Sequence, residues 1–78
     1  MKRQLIPDEI RVLNIMGAEY FIEWEWVTRG ASFFLPTTAT PKQAGVALKA
    51  AASYFGYRFE TRARREYGRY GVRVWRTY

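Results

Sequence analysis

Along much of the chain, apolar side chains recur at every second position. Tyr20, Ile22, Trp24 and Trp26 alternate with Phe21, Glu23, Glu25 and Val27. Tyr57, Phe59, Thr61 and Ala63 alternate with Arg58, Glu60, Arg62 and Arg64, and Tyr70, Val72 and Val74 alternate with Gly71, Arg73 and Trp75. A period of two puts one set of side chains on each face of a strand. The last two runs are separated by Tyr67-Gly68-Arg69, which predicts a β-hairpin. Earlier in the chain, Arg29-Gly30 predicts a turn into a returning strand, Phe33-Phe34-Leu35, closed by Pro36, which has no N–H for a ladder.

One stretch has a different rhythm. In TPKQAGVALKAAASYFG, Ala44, Ala47, Leu48, Ala51 and Phe55 recur at helical spacing. Thr40 is a good N-cap and Pro41 suits the first helical position. Gln43 completes a capping box, and Gly56 is a natural stop, so a helix is predicted over 41–55. Its apolar face is mostly alanine, which lets it lie close against a sheet. The opening IPDEIRVLNIMG has two readings. Pro7, Asp8 and Glu9 suit a helix start, whereas Ile10 and Val12 alternating with Arg11 and Leu13 suit a strand; the poor helix propensity of Ile, Val and Asn tips the balance toward strand. The expected order is (β or α)-β-β-α-β-β over residues 1–78. That is a single α+β domain with one helix packed on one face of an antiparallel sheet.

Seventy-eight residues without cysteine must find their core unaided. Fourteen aromatics, each burying a large area, compensate for a short aliphatic core. With neither histidine nor cysteine, the usual zinc ligand sets and the common nucleophile–base pairs are missing. Ser32 and Ser53 lie in no nucleophile elbow, and there is no phosphate-binding glycine loop. Glu23 and Glu25 share a strand face in this reading, but two carboxylates without a third ligand make a poor hard-cation site. The expectation is a protein that is no enzyme and needs no cofactor. MKRQLIPDEI lacks the apolar stretch of a signal peptide, and no run approaches a membrane span. A cytoplasmic location away from membranes is expected, the host cell's cytoplasm if a phage encodes the chain.

Charge changes the picture most. Of a net +6, nearly all sits in the last 22 residues, where seven arginines face Glu60 and Glu66. The alternation turns Tyr57, Phe59, Ala63, Val72 and Val74 toward the helix and Arg58, Glu60, Arg62, Arg64, Arg73 and Trp75 away from it. Arg69 falls in the turn, and Arg65 and Arg76 flank the strands. Guanidinium forks match phosphate oxygens, and an exposed indole stacks on a base. This face is therefore the candidate site for nucleic acid, DNA or RNA, with Arg58, Arg62, Arg64 and Arg73 on phosphates. Trp75 would stack, and Arg65, Arg69 and Arg76 would extend the field. A narrow basic ribbon also fits a duplex groove. The competing readings are a charged face that merely prevents edge aggregation, and a face that grips the acidic surface of a partner protein.

Trp24 and Trp26, two apart, are expected beneath the alanine-rich helix; left uncovered they would form a protein-binding anchor patch. Phe33-Phe34 puts one ring on each face, and the ring away from the helix needs cover from residues 1–16 or from a second subunit. A homodimer through a sheet face or edge is one expectation.

GVRVWR at the C-terminus, with YFGYRF before it and SFFLP further upstream, resembles small uncharacterised bacteriophage proteins. The resemblance spans Ser32–Pro36 and roughly residues 47–76, and carries over no site residue. It implies a viral protein that binds nucleic acid, or one that binds and modulates a host protein such as a polymerase or a defence complex.

Overall fold

Helix α2, Pro41–Phe55, forms as its sequence signals require, in a computed structural model that describes residues 6–78. The Gln43 amide donates to Thr40 Oγ1 at 3.2 Å, and Gln43 Oε1 accepts from the Thr40 amide at 2.9 Å, completing the capping box. At the other end Gly56 takes the left-handed conformation (φ 74°) and its N–H returns to the Ala52 carbonyl. Ala44, Leu48 and Ala51 are buried on one face, and the helix packs against strands β1 (Val12–Ile15) and β4 (Phe59–Glu66).

Two antiparallel sheets carry most of the other described residues. Strands β1 (Val12–Ile15) and β2 (Ala18–Phe21) form one hairpin; β3 (Ser32–Pro36), β4 (Phe59–Glu66) and β5 (Arg69–Arg76) form a sheet in the order β3-β5-β4. Both hairpins turn on two residues with positive φ: Met16 and Gly17 at 51° and 80°, Tyr67 and Gly68 at 55° and 72°. That pairing gives the turn a twist that matches the right-handed twist of its strands, which is why such short loops hold register. The α+β class and the C-terminal hairpin thus match expectation. The opening segment uses both of its readings in succession, one helical turn α1 (Asp8–Arg11) and then β1.

The N-terminal half differs from its alternation in three ways. There are two sheets where one was expected. Strand β2 pairs with β1 rather than β3, and β3 pairs with β5. Arg29-Gly30 therefore closes no hairpin; Gly30 (φ 86°) donates its N–H to the Arg76 carbonyl at 2.7 Å and ties the loop to the end of β5. Finally, Trp24–Trp26 is a 3₁₀ turn, not a strand. A tight helical turn points residues two apart in different directions, so the two indoles part company. Trp24 is 2 % exposed and Trp26 is 77 % exposed.

The gain at Trp24 explains the departure. Its ring lies 5.5–5.9 Å from Phe33, Phe55 and Phe59, and its Nε1–H donates to the Ile10 carbonyl at 2.9 Å. One indole thus joins α1, β3, α2 and β4, a packing that continuing the strand would have forgone. Arg11 holds the turn from outside through an ion pair to Glu25, which keeps its guanidinium above the ordinary pKa. The remaining core, Leu13, Ile15, Ile22, Val27, Leu35, Val72 and Val74, lies between the sheets and α2.

Candidate nucleic-acid interface

Register determines what the outer face of the three-stranded sheet displays. Arg62 stands opposite Arg73, which stands opposite Phe34 on β3; Glu60 opposes Trp75, Arg64 opposes Gly71, and Glu66 opposes Arg69. Cross-strand partners share a face. Arg62, Arg64, Arg69, Arg73 and Trp75 are therefore together on the side away from α2, with Glu60 and Glu66 among them. Val72 and Val74 on the other face are fully buried.

The arginines are not equivalent. Two like charges directly across a ladder repel, and the two glutamates separate them. Glu66 draws Arg73 along the strand, with Nη1 2.9 Å from Oε1, and holds Arg64 Nε at 3.8 Å. Glu60 lies 4.0 Å from Arg62. The side chains of Arg62 and Arg64 remain 70 % and 50 % exposed, that of Arg73 only 25 %. Arg58 and Arg69 are exposed.

Arg65 and Arg76 sit within β4 and β5 rather than flanking them, and alternation places both on the helix side of the sheet. Arg65 lies over the Tyr70 ring near the hairpin tip, 5.3 Å from its centroid. Arg76 is tied down: its guanidinium covers Tyr57 at 3.5 Å, Nη1 donates to the Val27 carbonyl and Nε to the Tyr78 carbonyl.

Trp75 is half-buried, with the Arg64 guanidinium 5.9 Å from its ring centroid. It borders a groove of about 400 Å³ whose charged lining is Arg29, Arg62, Arg76 and Glu60. Arg29 was not visible to the strand pattern. It lies in a loop far from Trp75 in sequence and reaches the groove because the Gly30 amide docks on β5. The ring of Phe34 draws part of its cover from its own sheet. A Cβ built on Gly71 would run into it, so the phenyl lies across the bare glycine backbone and is half-buried there.

Among the described residues no cluster of His, Cys, Asp or Glu could hold a metal ion, and no helix is long and apolar enough to cross a membrane. No family model, curated protein or solved structure matches this chain.

Proposed function

We propose that this chain is a non-enzymatic nucleic-acid-binding protein that engages a single strand on the outer face of β4 and β5. The supporting observation is the groove beside Trp75: a half-buried indole with arginines around it, on the face that also carries Arg62 and Arg64 in the open. One base stacks on the indole while neighbouring phosphates meet Arg58, Arg62 and Arg64. Arg29 and Arg69 extend the path at either end. Arg73 and Arg76 support the surface, because both are already engaged within the protein. Glu60 and Glu66 sharpen the distribution by leaving the positive charge in lanes between them. A bacteriophage origin, suggested by the GVRVWR-type C-terminus, fits such a role.

Titration of intrinsic tryptophan fluorescence with a random 20-nucleotide single strand and a random duplex, from about 50 to 300 mM salt, tests the reading. Tryptophan quenching lost in Trp75→Phe identifies the reporter, and a gel shift run alongside guards against a silent ring. Neutralising about four phosphates on a single strand gives a log–log salt slope near −3. No binding at the lowest salt in either assay overturns the proposal. Saturable, partner-specific capture of an acidic host protein, with nucleic acid failing to compete, favours the adaptor reading of the same face.

A further inference from the structure

A second site lies on the opposite flank, where the two sheets fail to join. Strands β2 and β3 are both edge strands, and residues of each line one cleft of about 500 Å³. The bond from Ile22 N–H to the Arg11 carbonyl sets the phase of the first hairpin, and alternation then aims the backbone groups of Glu19 and Phe21 away from β1. On β3 the bonds from Arg76 N–H to the Ala31 carbonyl and from Thr37 N–H to the Tyr70 carbonyl set the phase, and Ser32 and Phe34 aim theirs away from β5. Two rows of unpaired donors and acceptors thus border one cleft. The Tyr20 hydroxyl, donating to the Pro36 carbonyl, bridges the strands at the Pro36 end.

The lining says what belongs there. Phe21 and Trp26 are 62 % and 77 % exposed and give the cleft apolar walls. Among the described residues its only charged lining residues are Glu19 and Glu23, with no arginine or lysine, in a protein whose net charge is +6. Arg11 approaches Glu23 only at 3.9 Å, and Glu19 has no ion-pair partner among the described residues. The two carboxylates favour a cation here over a polyanion, and the Arg11 guanidinium, 5.2 Å from the Phe21 ring centroid, already shows that ring receiving one. We infer that the cleft between β2 and β3 binds an extended cationic segment of a partner protein as an added strand. The segment's backbone pairs with both edges, its basic side chains, all on one face of the added strand, meet Glu19, Glu23 and the Phe21 ring, and its apolar side chains turn to the opposite face.

The test is a titration of ¹⁵N-labelled protein with the hexapeptide acetyl-RVRVRV-amide, alongside two forms methylated on complementary sets of alternate amides. A strand paired on both sides loses affinity by about tenfold or more with either set methylated, the worth of a hydrogen bond or two. A peptide lying on one edge loses affinity with only one set. The Glu19, Phe21, Ser32 and Phe34 amides shift and gain exchange protection together on binding. Glu19→Lys with Glu23→Lys weakens binding several-fold while leaving the fold intact, as both side chains are exposed. Absence of binding at millimolar peptide, equal binding of acetyl-EVEVEV-amide, or tolerance of either methylated form overturns the inference. Sedimentation velocity completes it: a dimer that the peptide dissociates would give the cleft to a second copy of the chain and overturn the assignment to a partner.

Discussion

On the helix side of the three-stranded sheet, Leu35, Val72 and Val74 have at most 2 % exposure and belong to one buried cluster with Trp24 and Leu48. On the other side the same three strands present arginines, two glutamates, a half-buried indole and one phenyl ring lying over a glycine. The strands are shared, so backbone pairing is common to both faces. The difference is that the inner face gains free energy from area removed from water, whereas the outer face holds charges that neutralise one another only partly. Stability and binding should therefore respond to different residues, separated by nothing more than the pleat.

Trp24→Ala, on the inner side, carries the largest expected effect. Removing a buried indole costs about 3–5 kcal/mol, a large part of the roughly 4–12 kcal/mol available to a domain of this size. Urea denaturation should show the chain largely unfolded or close to it; a loss below about 1 kcal/mol would remove Trp24 from the centre of the core.

Gly71→Ala comes next, because it disturbs the outer face by steric means alone. The new methyl group meets the Phe34 ring and the Leu35 carbonyl, and displacing the ring should cost about 1–3 kcal/mol in thermal unfolding. If stability is unchanged, Phe34 does not depend on the glycine for its cover.

Arg62→Ala and Arg64→Ala should reverse the balance. Each lowers the salt slope of single-strand binding by about one unit while stability stays within about 0.5 kcal/mol. Within that range Arg62→Ala should gain slightly in stability, since it removes a like charge facing Arg73. A large stability loss with an unchanged slope would make these arginines structural.

Glu66→Gln is the smallest and the most discriminating. Losing the partly exposed pairs to Arg64 and Arg73 should cost no more than about 1 kcal/mol, yet it frees Arg73 for phosphate. Single-strand affinity should therefore rise and the slope steepen. Unchanged binding would show that Arg73 lies off the nucleic-acid path.

Where local chemistry was sufficient, the chain could be read without its fold. The capping box at Thr40, the stop at Gly56 and the Tyr67-Gly68 turn involve residues adjacent or three apart, so helix α2, the C-terminal hairpin and the outward-facing set Arg62, Arg64, Arg73 and Trp75 were all legible. The WEW run was not. Its alternation is equally compatible with a strand, and only Phe33, Phe55, Phe59 and the Ile10 carbonyl, assembled from four elements, favour turning one indole inward and the other out. Nor does period two identify a strand's partner: β2 could pair with β1 or β3, and the two-residue Met16-Gly17 turn takes the nearer one. The rank order among the arginines was equally hidden, because the pattern assigns Arg73 a face but the register determines that Glu66 reaches it. Arg29 enters the groove, and the cleft between β2 and β3 exists, for the same reason. Sequence by itself determined the elements built from neighbouring residues and the faces of the hairpin; tertiary structure decided which strands pair, which charges are already engaged and where edges are left open, since those depend on contacts between residues far apart in the chain.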